Sequence, residues 1–311
     1  MITTGFTSVV NVSSIPQRSP FRYPGGKTWL VPHIRLWLKS LEPEPKELIE
    51  PFAGGAIVGL TAAFEELVER VTLVELDADV AAVWRTVLGE HADRLVDMIT
   101  SFSCSPQAVQ DVFSAPTAAE EQRAFATLLR NRVQYGGIIA PGASLVRRGE
   151  NGRGVSSRWY PSTLRRRILA IIDRRDRINF IHGDGLKVLE ASAPRMDAVY
   201  FIDPPYTVTG RRLYTHYNID HQRLFAVVSR LAGDFLMTYD AADEIRELVC
   251  RYGFDLVEVP MKTTKHVKAM ELLIGRCLDW ARRPSDTELR PNRSFEILQA
   301  DRNAASKSFD G

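Results

Sequence analysis

Ala198-Val199-Tyr200-Phe201-Ile202-Asp203-Pro204-Pro205-Tyr206 decides how this chain is read. An apolar run of strand length stops abruptly in an acid, two prolines and an aromatic. Proline has no N–H and fixes φ, so the doublet ends the ladder and holds a rigid turn. In an open α/β sheet, ligands bind at the carboxyl ends of the strands. Asp203, the Pro204 carbonyl and the face of Tyr206 would stand close together there. Two hydrogen-bond acceptors beside a stacking platform suit a planar base with an exocyclic amine. An ordinary proline-rich turn after a strand would contain the same residues, so the neighbouring motifs decide.

Upstream, Leu48-Ile49 leads into Glu50-Pro51-Phe52-Ala53-Gly54-Gly55-Ala56 and then into apolar positions Ile57, Leu60, Ala63 and Leu67. That is strand, glycine turn, helix. Glycine lets backbone approach a ligand closely, and the start of a helix offers N–H groups without intrahelical partners. Val71 to Val74 reads as the next strand, ending in Glu75, with Asp77 two residues later. An acid about twenty residues past the glycine turn is placed to bind ribose hydroxyls. The turn is not G-x-G-x-x-G, so a nucleoside cofactor without a pyrophosphate fits better than NAD. A purely structural βαβ unit would also read this way.

Pro20-Phe21-Arg22-Tyr23-Pro24-Gly25-Gly26-Lys27-Thr28 ends in Gly-Lys-Thr, but a phosphate-binding loop of the Walker type needs glycine where Phe21 stands, and a strand before it. What remains is a tight glycine turn with Lys27 just past it. It opens an amphipathic helix through Trp29, Leu30, Ile34, Trp37 and Leu38. Lys27 either pairs with a carboxylate or stands solvated in a first turn.

The 311 residues, 45% of them hydrophobic and 25% charged, fit a soluble globular protein. Cys104, Cys250 and Cys277 lie far apart, and the histidines show no metal spacing, so neither a disulfide framework nor a metal centre is expected. No secretory leader and no run of ~18 apolar residues is visible, which points to a cytoplasmic protein without a membrane span. Net charge is only +2, yet Arg130 to Arg177 contains twelve arginines against Glu150, Asp173 and Asp176. A basic block inside a near-neutral chain is the footprint of a polyanion partner; a solvated helix face is the plainer reading of Arg165-Arg166-Arg167 alone.

These motifs, in this order, resemble the D12-class (Dam-type) DNA N6-adenine methyltransferases, from about Ser19 to Trp280. Tyr23-Pro24-Gly25-Gly26-Lys27 matches the family's aromatic followed by A-G-G-K, with Tyr23 where tryptophan is usual. Glu50 to Gly55 matches its E-P-F-x-G-G, and Asp203 to Tyr206 its D-P-P-Y. Glu75-Leu76-Asp77 stands where the family usually shows D-x-N. Ile178 to Asp184, Phe235 to Asp240 and Lys268 to Ile274 resemble its later strands. The resemblance implies a Rossmann-like, doubly wound, seven-stranded α/β sheet that uses S-adenosylmethionine, with an inserted, largely helical target-recognition region. Residues 19–88 and 178–280 would form the catalytic domain, 89–177 the insertion, 1–18 a loose extension and 281–311 a tail whose only apolar cluster is Phe295, Ile297 and Leu298.

The resemblance also implies roles. Asp203 and the Pro204 carbonyl, with Pro205 holding the turn, would accept the adenine amine hydrogens while Tyr206 stacks on the flipped base. Tyr23 would pack near the methionine portion of the cofactor and Lys27 would bind its carboxylate. Phe52, Gly54 and Gly55 would line the site, with Asp203 also close to the cofactor. Glu75 would hold the ribose and Asp184 the adenine amine. Double-stranded DNA would meet Arg130, Asn131, Arg147, Arg148, Arg165, Arg166, Arg167, Arg211 and Arg212, with the glycine-rich run Tyr135 to Gly154 as a loop against it. Alternatives are an N4-cytosine DNA or adenine RNA methyltransferase, or a silent DNA-binding protein of the same fold. A monomer is the default, and association with a restriction endonuclease of the same system, host modification and phage self-protection all stay open. The target sequence cannot be read from the chain.

Overall fold

The structure is a computed structural model and describes residues 10–22, 26–139, 143–149, 152–205, 219–262 and 268–282. A short 3-10 turn, Lys27–Leu30, opens α1 (Val31–Lys39). Then follow β1 (Glu47–Glu50), α2 (Ile57–Phe64), β2 (Arg70–Glu75), α3 (Ala78–Leu88), α4 (Ala92–Ser101), α5 (Pro106–Ser114), α6 (Glu120–Val133) and α7 (Pro161–Ile172). The second half is β3 (Ile178–His182), α8 (Gly185–Ser192), β4 (Ala198–Ile202), α9 (His221–Val228), β5 (Phe235–Asp240), α10 (Asp243–Tyr252), β6 (Asp255–Lys262), β7 (Lys268–Gly275) and α11 (Asp279–Arg282).

The expected sheet is present, with seven strands in the order β3-β2-β1-β4-β5-β7-β6. Pairings among the first five are parallel, and β7 runs antiparallel to both β5 and β6. The chain winds outward from β1 to β2 and β3, then returns to lay β4 on the other side of β1. This reversal is the topological switch point, where ligands bind in open α/β sheets. Its register, Glu47 beside Ala198 and Ile49 beside Tyr200, brings the ends of β1 and β4 together.

β1 and β4 are buried along their whole length, as central parallel strands covered on both faces must be. Alternation sorts their side chains: Val199 and Phe201 pack into the core shared with α1 to α4, α6 and α7, whereas Ala198, Tyr200 and Ile202 pack against α8, α9 and α10. Turn chemistry sets the helix starts. Asp77 accepts from Asp79 N and Val80 N, and Asp184 from Leu186 N, capping α3 and α8 directly after the second and third strands. Gly253, at φ 65°, ends α10 in the left-handed region where a side chain is disfavoured.

The stretch 89–177 contributes α4 to α7 and packs into the first core through Val109, Phe125, Leu128, Leu129, Leu164 and Ile168. Phe102, Phe125 and Trp159 meet edge-to-face, with centroids 5.2 to 6.1 Å apart. Arg130 and Arg132 on α6 and Arg165, Arg166 and Arg167 on α7 therefore stand on helices packed into the core beside the sheet.

Candidate active site

Asp203 follows the last residue of β4, where the backbone leaves the sheet for the Pro204-Pro205 turn. Its carboxylate is half-buried. Oδ1 lies 2.8 Å from Lys27 Nζ and accepts from Thr238 Oγ1, on β5, at 2.7 Å. Lys27 is only 4% exposed and also pairs with Glu271 Oε1, on β7, at 3.1 Å. Three strands and the 3-10 turn Lys27–Leu30 thus converge on one ion cluster. A third acid, Glu50 at the end of β1, accepts from Gly59 N at 2.7 Å. Burial pushes its pKa up to about 8, against the Gly59 N–H; the Asp203 charge raises it further and Lys27 opposes. Burial thus favours the protonated form of Glu50. Beside this group, the Tyr239 hydroxyl lies 3.0 Å from His221 Nδ1. Its pKa is raised well above the ordinary value by burial first and then by Asp203 and Asp240.

The glycine turn beside it is shaped for close approach. Gly54 has φ 47° and Ala56 φ 50°, so the backbone passes twice through the left-handed region, which is strained for alanine. Gly54 O accepts from Trp84 Nε1 at 2.9 Å, and Gly54 N donates to Glu75 Oε2 at 2.9 Å. Glu75 Oε1 accepts from Asp77 N at 2.8 Å, so its carboxylate bridges the glycine turn and the start of α3. Burial raises the Glu75 pKa to about 7, against the Asp77 N–H. Gly183 N donates to Glu75 O, which ties the third strand's end to the same corner. Gly185 is required there: a Cβ on it would meet Pro51 O at 2.0 Å. Asp184 and the Glu50-Pro51 turn are held together by that contact. Phe52 and Gly55, both half-buried, complete the rim.

The cradle fits a nucleoside rather than a phosphate. Its carboxylates, Glu75, Asp77 and Asp184, form no ion pair with a cation among the described residues. Such a wall repels anions and receives hydroxyl and amine donors, the chemistry of a ribose and an adenine.

Several expected site residues move to other duties. Lys27, expected at the cofactor carboxylate, is committed to Asp203 and Glu271, the carboxylate pairing its sequence position left open. Asn131, expected at DNA in a loop, is fully buried in the last turn of α6. It accepts from Arg22 N at 2.7 Å and donates to Arg22 O and Gly137 O, both at 2.8 Å. It clamps the segment that leads to Lys27 and does not face solvent. Arg130 lies 5.2 Å from the Phe113 ring and 3.9 Å from Asp79, packed between helices. Arg167 turns inward and donates to Ser19 O at 2.9 Å. Arg147, Arg148, Arg165 and Arg166 are exposed. Pro204 is buried and Pro205 half-buried, while Tyr23, Tyr206, Arg211 and Arg212 lie outside the described residues.

Sequence reading missed Glu271, Thr238 and the charge state of Glu50. The signal for the first two was a lone polar residue inside an apolar strand, Glu271 in Lys268 to Gly275 and Thr238 in Phe235 to Asp240. Among the described residues no group of acids, histidines or cysteines is placed to hold a metal ion, and no helix is long and apolar enough to cross a membrane.

The model of the D12 class N6 adenine-specific DNA methyltransferases matches residues 23–264, and the chain belongs to that family. A DNA N-6-adenine-methyltransferase of Escherichia phage P1 is 28% identical over 254 residues, which cover 76% of this chain and 32% of that protein; the chain spans about a third of that relative's length. Among solved structures, an rRNA methyltransferase of Streptomyces viridochromogenes aligns at 13% identity over 86% of this chain and 93% of that one, with a TM-score of 0.41. A SAM-dependent methyltransferase of Agrobacterium tumefaciens aligns at 11% identity over 80% and 61%, with a TM-score of 0.37. Family and sheet topology together define a mixed α/β, Rossmann-like methyltransferase fold.

Proposed function

We propose that this chain transfers a methyl group from S-adenosylmethionine to N6 of an adenine turned out of double-stranded DNA. The observation that carries this reading is the Asp203 carboxylate, held by Lys27 and Thr238 at the switch point and followed at once by the Pro204 carbonyl. An adenine amine is a poor nucleophile because its lone pair is delocalised into the ring. Asp203 and the Pro204 carbonyl, by accepting its two hydrogens, favour a tetrahedral nitrogen with the lone pair directed outward. A carboxylate has lone pairs for about four donors, so Asp203 can hold Lys27, Thr238 and an amine hydrogen together. Lys27 and Thr238 fix its rotamer, so the acceptor is oriented before substrate arrives.

Bound S-adenosylmethionine would supply the electrophilic sulfonium methyl. Glu75 takes the ribose hydroxyls, Asp184 the adenine amine, and Phe52 with the Gly54-Gly55 backbone lines the cradle. We assign Tyr23 to the methionine portion and Tyr206 to the face of the extruded base, where such stacking contributes about 1–3 kcal/mol. Arg147, Arg148, Arg165 and Arg166 are the exposed part of the duplex surface, and Arg211 and Arg212, a few residues after Tyr206 in the sequence, are assigned to the same contact.

The test is incubation with labelled S-adenosylmethionine and unmethylated duplex DNA, followed by nucleoside mass spectrometry. N6-methyladenine supports the reading. N4-methylcytosine keeps the chemistry and corrects the base, and cofactor binding without any methylated nucleoside contradicts the proposed reaction.

A further inference from the structure

The corner where β2 and β3 end is held by a polar chain that reaches in from α3 and α6. Glu75 stands opposite His182 in the parallel pairing of the two strands. His182 is exposed, and both of its ring nitrogens are engaged. Nδ1 lies 2.8 Å from Arg85 Nη1, on α3, and Nε2 lies 3.3 Å from Leu76 O. A guanidinium can only donate, so Nδ1 accepts and the ring proton stands on Nε2, facing the Leu76 carbonyl. Arg85 is fixed in turn by Glu120, in the first turn of α6, which accepts from Nε at 2.6 Å and pairs with Nη2. An exposed ion pair of this kind contributes little to stability by itself. What gives the chain a purpose is the carbonyl at its end.

Leu76 O and Asp77 N belong to one peptide group, which is planar and directs the two atoms to opposite sides. Asp77 N donates to Glu75 Oε1 at 2.8 Å. His182 therefore holds the oxygen side of the same peptide whose nitrogen side holds the Glu75 carboxylate. Without His182 that peptide is restrained from one side only, and Glu75 loses a fixed partner. A hydrogen bond on the carbonyl also polarises the peptide and strengthens its N–H as a donor. We propose that His182, set in place by Arg85 and Glu120, is a positioning residue for the cofactor ribose: through the Leu76–Asp77 peptide it keeps the Glu75 carboxylate in the orientation that receives the hydroxyls. The inference rests on the assignment of Glu75 to the ribose in the reading above. It also gives α6 a second duty. One end of that helix anchors Arg85 through Glu120, and the other clamps the Arg22 backbone through Asn131. The same helix thus supports the cofactor corner and the segment that leads to Lys27.

The test measures S-adenosylmethionine binding by calorimetry, with melting temperature alongside, for the full chain, His182→Ala and His182→Gln. Arg94→Gln, on α4, whose guanidinium pairs with Glu121 of α6, is the control and should bind as the wild type does. His182→Ala should stay folded and bind the cofactor roughly two- to tenfold more weakly, the effect of one lost hydrogen bond. His182→Gln, whose amide offers a donor to Leu76 O and an acceptor to Arg85, should recover most of that affinity. In methyl transfer to duplex DNA, the Ala variant should show a raised KM for the cofactor with kcat at the wild-type level, as expected when binding is weakened equally in the ground and transition states. Wild-type affinity in His182→Ala would overturn the inference. So would a loss that His182→Gln does not recover, or a fall in kcat at unchanged KM. A wild type that binds no S-adenosylmethionine contradicts the cofactor reading itself, whereas a wild type that binds it no better than His182→Ala contradicts the role of His182 alone.

Discussion

Glu50 shows how much one side chain's surroundings alter its chemistry. In the sequence it is the first letter of a glycine turn; in the fold it is a buried acid with a pKa of about 8, facing Asp203 and Lys27. The folded chain keeps a proton there that the unfolded chain, with an ordinary value of 4.5, releases. Glu50 thus contributes most to stability at pH below about 4.5, and that contribution falls by about 1.4 kcal/mol per pH unit until pH reaches about 8. Glu50→Gln should therefore flatten the pH dependence of the melting temperature between pH 5 and 8 and be more stable, relative to wild type, at the upper end. A slope between pH 5 and 8 unchanged from wild type in the variant would show that Glu50 is ionised in the fold. Asp203 was legible because its strand and prolines are contiguous in the chain. The partners of Lys27 were not, because positions 203 and 271 meet position 27 only through the winding of the sheet.

At the scale of the element, the strands that bear the site were readable as short apolar runs ending in acids, and β1, β2, β3, β4 and β5 lie where those runs stand. β6 was not foreseen. Its run, Asp255 to Lys262, contains Asp255, Glu258 and Pro260, which resembles a loop more than a strand. It tolerates them because it is an edge strand paired only with β7, where a missing N–H costs no central ladder bond. Asn131 misled for the opposite reason: a polar residue in an arginine-rich stretch looks like a DNA contact until the helix turns it inward. Packing between elements also makes a sharp demand at Gly185. Gly185→Ala would drive a methyl group into Pro51 O, and we expect a loss of at least about 1–3 kcal/mol in denaturant unfolding. Wild-type stability in that variant would show that the α8 start and the glycine turn do not touch in the way described.

Across the whole molecule, the basic block divides into structural and surface halves. Arg130, Arg132 and Arg167 are engaged by the fold, whereas Arg165 and Arg166 stand exposed on the outer side of the helix that carries Arg167. Composition located the block and could not sort it, because burial is decided by where the period of α7 meets α3 and α4. Neutralising Arg165 and Arg166 together should leave the melting temperature within a degree or so, since exposed charges contribute little to stability. The same change should weaken duplex binding and reduce its salt slope. An unchanged slope would mean that this helix face points away from DNA.

All of this converges on the carboxylate at the end of β4, and the most direct measurement addresses it. Single-turnover methyl transfer from labelled S-adenosylmethionine to duplex DNA should be followed for the wild type and Asp203→Ala, each with its melting temperature and cofactor affinity measured alongside. The rate should fall by at least about 10²-fold while the variant stays folded and still binds the cofactor, as expected when a preorganised group acting on the reacting nitrogen is removed. A variant that transfers methyl groups within a few-fold of the wild-type rate would contradict the role given to Asp203 and to the Lys27 and Thr238 contacts that hold it.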